Sequence, residues 1–478
     1  MTDPKDITPD EAADILDGIE FKTKLLHHQA ASLIWGADMD RLMWWHDIGT
    51  GKSLTALYMN QLWGFKKLLI VCPNSVMEGW AEQIERHTDW PYTLVQGPRI
   101  ARKRLLMQSR GKIWVINYAG LRVVFDTHTS VKLAGFDTVI FDEIHYLSSH
   151  KTQRTKWAKV LSKYAKYVIG MTGTPYTTTE ESLWAQYDVL DRGKGILGSL
   201  TNFRKKHFHG IRIPRKEGYS PTIYRIKKGE TERILDRVAP ITLRYSREEC
   251  FDLPDRRYQT RFVDLSPEQK KFQDDIIEGN TFAIGKGRMT VSDPFLVGNK
   301  LAQVAGGFVL PTSGVALRLK ANPKLDALLG LINEVPGKMI VFHSYVEEGR
   351  MIEEAVAAAG VKAVSLRGET ADKSVWKKFN TEKNIRLLIA HPKSGGEGLN
   401  LHHDCSCIVF YGNGCYGAPT RDQAEGRIWR LGQKRSCLFI DLLVRGSIDE
   451  ARLERVKEKA GILQAIVKYI ERAGQGVK

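Results

Sequence analysis

The sequence predicts an α/β protein with two parallel-sheet lobes and a basic, partly helical insertion between them. Three observations lead there. Short apolar runs alternate with helical patterns in two separate series, which is the signature of parallel sheets. A chain of 478 residues is too long for one hydrophobic core. A stretch of different composition separates the two series. The boundaries read as 1–190, 191–320 and 321–478.

In chain order, the first series of strand candidates is "RLMWW", "KLLIVC", "KIWVIN", "TVIFD" and "YVIGMT". The second is "KMIVFH", "KAVSL", "RLLIAH", "CIVFY" and "LFIDLLV". Between them, residues 203–229 hold nine Lys/Arg and one Glu, with Phe203, Phe208, Tyr219 and Tyr224 interleaved. Such a stretch suits either a grip on a nucleic-acid backbone or a solvated face. From Ser447 onward the pattern is one long helix, with Ser447 as its cap and Asp449 and Glu450 in its first turn.

Composition narrows the class. The 71 Lys/Arg against 55 Asp/Glu give a net charge of +16, which favours a polyanionic partner, nucleic acid before membrane. No apolar run approaches the length of a membrane span, and the acidic N-terminus lacks a signal pattern. An intracellular, cytoplasmic protein is the expectation. Six cysteines do not make a disulfide framework in so long a chain. "LHHDCSC" with Cys415 offers zinc ligands on paper, but "CSCIVFY" reads as a buried strand.

Three stretches carry chemistry. In "HDIGTGKSLTAL", Gly49, Thr50 and Gly51 let backbone N–H groups converge ahead of a helix, Lys52 adds a positive charge, and Ser53 adds a hydroxyl. That is a phosphate cradle, although His46 stands where the strict pattern has its first glycine. "DTVIFDEIHYL" delivers Asp142 and Glu143 at the end of a strand, one suited to Mg²⁺ and the other to polarising an attacking water. In "PTRDQAEGRIWRLGQ", Gln423, Arg427 and Arg430 are spaced to share one helix face, as arginine fingers or as a surface salt-bridge helix.

Taken together the motifs resemble those of the Swi/Snf family of superfamily 2 helicase-like ATPases. "LLHHQAASLIW" is similar to the adenine-reading Q motif through Gln29, and "DIGTGKS" to motif I. "LLIVCPNSVMEGWAEQI", "DEIHYLSSHKT" and "MTGTP" resemble motifs Ia, II and III, and "LRYSREECFDLPDRR" the segment joining the lobes. "MIVFHSY", "LRGET", "SGGEGLNL" and "DQAEGRIWRLGQ" resemble motifs IV, IVa, V and VI. His46 and Ile48 depart from the usual lead-in to motif I and Ile144 from the usual alanine of motif II, while the "AHPKSGGEG" opening of motif V differs from that of chromatin remodellers and looks more like compact phage and bacterial members.

The resemblance implies two RecA-like lobes with ATP and Mg²⁺ as cofactors. Gln29, Gly49, Thr50, Gly51, Lys52 and Ser53 would bind nucleotide, with Ser53 and Asp142 on the metal and Glu143 on the water. Gly398, Asn400 and Gln423 would approach the nucleotide from the other lobe, where Arg427 and Arg430 complete catalysis. His145, Thr172 and Thr174 would couple nucleotide state to DNA. Lys205, Lys206, Arg215, Lys216 and Arg367 are the DNA-contact candidates. The implied activity is double-stranded DNA translocation by a monomer, acting on branched DNA or DNA–protein complexes. A strand-separating helicase and a non-translocating DNA clamp are the alternatives.

Overall fold

The computed structural model describes residues 4–108, 111–175, 180–193, 195–212, 222–278, 282–284, 287–289, 294–311, 315–366, 375–392, 401–402, 404–412, 417–454 and 456–457. Gly398, Asn400, Arg215, Lys216, Arg367 and Cys415 lie outside these residues. The chain forms two compact units that meet in sequence between Phe251 and Asp252. The basic stretch read as lying between two lobes therefore belongs to the first unit.

The first unit holds strands β1 (Arg41–Trp44), β2 (Leu68–Cys72), β3 (Tyr92–Leu94), β4 (Ile113–Asn117), β5 (Thr138–Asp142), β6 (Tyr167–Met171), β7 (Phe208–Arg212), β8 (Thr222–Ile226) and β9 (Thr242–Leu243). Seven of them make one sheet in the order β3-β4-β2-β5-β6-β1-β9, parallel at every pairing. Every residue of β1, β2 and β4 is buried, because helices cover both faces. Successive residues serve opposite cores: Leu69, Val71, Val139 and Phe141 join one, and Leu68, Ile70 and Ile140 the other. Strands β7 and β8 stand apart as an antiparallel ribbon.

The second unit holds β10 (Arg256–Val263), β11 (Phe282–Ile284), β12 (Gly287–Met289), β13 (Phe308–Val309), β14 (Leu317–Arg318), β15 (Lys338–Phe342), β16 (Ala363–Leu366), β17 (Leu387–Ala390), β18 (Cys405–Phe410) and β19 (Cys437–Val444). Six make a second parallel sheet, β10-β19-β18-β15-β17-β16. Cys405 and Cys407 are buried residues of β18, where loss of water pushes both thiols up to about 12. The strand reading of that cysteine cluster is the one the structure bears out. Residues 448–454 are helical, and Asp449 N–H donates to Ser447 Oγ at 3.2 Å, as the capping argument required. Among the described residues no helix is long and apolar enough to cross a membrane.

Candidate active site

The phosphate-type loop lies between β1 and the helix Lys52–Leu62. Gly49 and Gly51 both take left-handed backbone angles, φ 88° and 84°, which turn the chain tightly into the helix. Gly51 is doubly constrained, since a Cβ there would sit 2.2 Å from Gln29 Nε2. Gln29 is itself locked: its Nε2 donates to Thr50 O at 3.3 Å and its Oε1 accepts from Leu26 N at 2.9 Å. Gly51→Ala is therefore expected to cost about 1–2 kcal/mol in backbone strain alone. It should lower Tm by about 2–4 °C per kcal/mol and weaken nucleotide binding. Thermal unfolding and a nucleotide titration check this, and an unchanged result in both would count against the tight packing of the loop.

His46, the departure from the strict motif, is a wall of this loop. Its ring is buried, stacked on Trp44 at 5.6 Å, and bonded through Nε2 to Ser32 Oγ at 3.1 Å. Burial, reinforced by the Lys52 charge, holds its pKa well below the ordinary histidine range, so the ring is neutral. Lys52 Nζ donates to the carbonyls of His46 and Asp47 at 2.8 and 2.9 Å. Burial pushes the ammonium down, opposed by the carboxylates of Glu143, Asp142 and Asp47.

Asp142 ends β5 and Glu143 follows it with φ 51° and ψ 52°, a left-handed geometry rare outside glycine. Strain of this kind concentrates at working sites. Trp80 Nε1 donates to Asp142 Oδ2 at 2.8 Å and Tyr118 OH to Asp142 O at 2.8 Å. Burial and the neighbouring Glu143 charge raise the Asp142 pKa. Burial also acts to raise Glu143, but His145, Lys52 and the Thr172 hydroxyl outweigh it and hold that carboxyl low. The two acids are thus driven apart.

The three coupling candidates converge on Glu143. Thr172 Oγ1 donates to Glu143 Oε2 at 3.1 Å, and His145 Nδ1 lies 2.9 Å from Thr172 Oγ1 and 3.1 Å from Glu143 Oε2. Thr174 N donates to Thr172 Oγ1 at 3.0 Å. Since Thr172 N is bonded to Trp44 O at 3.0 Å, this cluster is also tied to the strand that leads into the loop.

The motif VI expectation needs correction. The helix Ala418–Glu425 carries Gln423, but it ends before Arg427 and Arg430, so the three do not share a helix face. Gly426 closes the helix, and the Arg427 carbonyl accepts instead from Leu401 N at 3.2 Å. Gln433 Nε2 fixes the turn from behind, donating to Cys405 O at 2.9 Å and Ile428 O at 3.1 Å. Arg427 is buried and Arg430 half-buried.

Sequence reasoning missed two sets of residues. Asp47 is held from the far end of the first unit: Arg247 N donates to its Oδ2 at 3.1 Å, Arg244 approaches its Oδ1 at 3.6 Å, and Asp47 N donates to Tyr245 O at 2.9 Å. In the second unit Arg421 is buried over the Phe410 ring and paired with Glu425 at 2.6 Å and Asp441 at 2.5 Å. The Arg421–Glu425 pair was legible as an i,i+4 spacing, but the partners of Asp47 and the Asp441 contact of Arg421 lie far away in sequence.

The chain is similar to known proteins along most of its length. The SNF2-related domain profile matches residues 28–303 and the helicase conserved C-terminal domain profile residues 323–432. The chain is 26% identical to the DNA repair and recombination protein RDH54 of Saccharomyces cerevisiae, over 84% of this chain and 46% of that protein. It is 24% identical to protein p41 of Acyrthosiphon pisum secondary endosymbiont phage 1, over 91% and 96%. The chain spans 41% and 25% of the length of two further curated relatives, from Bacillus subtilis and Arabidopsis thaliana. Among solved structures it is similar to the Sulfolobus solfataricus SWI2/SNF2 ATPase core in complex with dsDNA, at 20% identity, 95% and 94% coverage and a TM-score of 0.43.

Proposed function

The chain belongs to the SNF2-related family, and from that premise we propose that it is an ATP-dependent translocase on double-stranded DNA. The observation that carries the reading is the convergence of Glu143, His145, Thr172 and Thr174 beside a glycine loop with its lysine. The loop N–H groups and Lys52 would bind phosphates, and Gln29 and Thr50 would brace the loop. The donor set suits Mg²⁺: a Ser53 hydroxyl on the first helical turn and the hard carboxylate of Asp142. When bound, Mg²⁺ would neutralise charge on the phosphates. Glu143, ionised at neutral pH, would polarise the attacking water, and His145 with the two threonines would relay its state. Gln423, Arg427, Arg430, Gly398 and Asn400, in the second part of the sequence, would take the roles in hydrolysis that the family resemblance implies.

DNA is the track this reading assigns. Plain duplex should stay paired, because the sequence shows no strand-splitting element, whereas branch migration is easy to drive because each base pair broken is replaced by an equivalent one. Net unwinding must overcome roughly 1.4 kcal/mol of stacking per step. Rates of ATP hydrolysis on duplex, single-stranded, forked and four-way DNA test the reading: stimulation by duplex and four-way DNA is expected. Stimulation by single strands alone, with efficient unwinding of tailed duplex, would favour a conventional helicase.

The basic insertion supplies a second check. Replacing Lys205, Lys206, Arg215 and Lys216 together by Ser should weaken binding to every DNA sequence alike. The slope of log affinity against log salt should fall by up to about 0.9 for each phosphate that is no longer neutralised. An unchanged slope would make these residues a solvated face.

A further inference from the structure

The ribbon β7–β8 pairs only with itself among the described strands. Its register sets Phe208 opposite Ile226, His209 opposite Arg225, Gly210 opposite Tyr224, Ile211 opposite Ile223 and Arg212 opposite Thr222. Directly opposed residues share a face, so the ribbon has two distinct sides. One side is an anchor. Phe208 is buried, Tyr224 and Ile226 pack on the same core, and the Arg204 guanidinium lies 4.4 Å over the Tyr224 ring. Gly210 keeps that side thin, since a Cβ there would press on Thr222 at 3.2 Å and Tyr224 at 3.5 Å. The root is pinned by Lys227 N donating to His207 O at 2.9 Å, and by Lys227 Nζ on the carbonyls of Lys205 and Lys206 at 2.8 and 2.9 Å.

The other side consists of His209, Arg225, Ile211 and Ile223, and all four are exposed. Ile211 and Ile223 form a cross-strand apolar pair with 39% and 40% of their surfaces open to water. Residues 200–212 and 222–229 hold seven Lys/Arg and no Asp or Glu. A two-stranded ribbon is marginally stable alone and gains nothing by showing two isoleucines to water. The surrounding charge selects a polyanion, yet phosphates do not attract isoleucine. The apolar surfaces that DNA can offer are chiefly the faces of its bases, and in a continuous duplex these are stacked away. At a branch point the last base pair of an arm exposes one face. The isoleucine pair stands about 10 Å from the root of the ribbon, at roughly 3.4 Å per residue, which is reach enough for a base-pair edge or face.

We propose that this face of the ribbon caps the open base pair at a DNA branch point, with Ile211 and Ile223 against the base face and His209 and Arg225 toward the flanking phosphates. The inference rests on the DNA-translocase reading above and adds the feature of DNA that is recognised. Apolar side chains are used in this way where proteins unstack base steps.

The test uses the full chain without nucleotide, a four-way junction with 2-aminopurine beside the branch, and a linear duplex of the same length and composition, with every duplex end in both closed by a hairpin loop so that only the branch offers an open base pair. Wild type is expected to bind the junction about tenfold more tightly and to change the 2-aminopurine emission, a size set by partial burial of two aliphatic side chains. The variant I211T/I223T keeps β-branched residues, so the ribbon persists. It should lose the junction preference and the emission change while keeping linear-duplex affinity and duplex-stimulated ATP hydrolysis. I211V/I223V should retain both. A junction preference that survives I211T/I223T overturns the proposal, as does equal loss on junction and duplex, or a wild type with no preference. Absence of stimulation by any DNA would instead break the translocase reading itself. A lost preference with intact duplex stimulation supports the cap.

Discussion

Lys52→Ala is expected to abolish ATP hydrolysis by removing phosphate binding, and Glu143→Gln to abolish it with ATP binding intact. The two failures differ because Lys52 would bind the phosphates while Glu143 would act on the attacking water. Lys52 is held by the loop carbonyls of His46 and Asp47, with acidic partners drawing its charge toward the site. Its loss removes the side-chain cation of the loop. Glu143 is oriented from elsewhere, by Thr172 and His145. The amide of Gln cannot carry the negative charge that polarises water, while the glycine turns and Lys52 remain. Equilibrium nucleotide binding measured beside steady-state turnover separates the two cases. Turnover near the wild-type rate in either variant would refute the assignment.

Arg430→Ala should leave ATP and DNA binding in place and lower DNA-stimulated turnover by ~10³–10⁵, the usual worth of an arginine finger. The backbone at this point is fixed independently of the side chain, since Gln433 N donates to Arg430 O at 3.0 Å. Truncation therefore removes charge without unravelling the turn. A positive charge needed only as negative charge develops acts on kcat and not on ground-state affinity. Single-turnover kinetics with saturating DNA is the direct measurement. A loss smaller than about tenfold, or about 1.4 kcal/mol, would mark Arg430 as structural.

Most of the two sheets could be read from the sequence because strands buried on both faces are written as unbroken apolar runs. "KLLIVC" is β2 and "TVIFD" is β5 for that reason. Strand β10 escaped notice: "RRYQTRFV" is an edge strand with Arg257, Tyr258, Gln259 and Thr260 all exposed, so it carries no apolar signal. Strand β9 has only two residues, too few for any pattern. Within the site, Lys52, Ser53, Asp142 and Glu143 were legible because each lies in a contiguous motif. Family resemblance, not spacing, singled out His145, Thr172 and Thr174, and their hydrogen bonds bring them together. Helical periodicity failed for Arg427 and Arg430, where a glycine and a carbonyl bond to Leu401 end the helix early. The hold on Asp47 was invisible because its partners lie near residue 245 in sequence.

That distant hold bears on how the chain acquires its site during synthesis. Backbone N–H groups of Trp45 and Asp47 are satisfied by Leu243 and Tyr245 at 2.9 Å, and β1 is flanked by β9. The residues that begin the loop thus wait for a strand made roughly 200 residues later. At ribosomal speeds of about 5–20 residues per second, the delay is about 10–40 s. During that time six strands, β1 to β6, can pair while the N–H groups of Trp45 and Asp47 still lack the carbonyls of Leu243 and Tyr245. Closing so long a loop is slow on entropic grounds, which makes nucleotide competence one of the last properties the first unit gains. A nascent chain stalled before Thr242 would therefore hold six strands of the first sheet with the entry to its phosphate loop unanchored on one side.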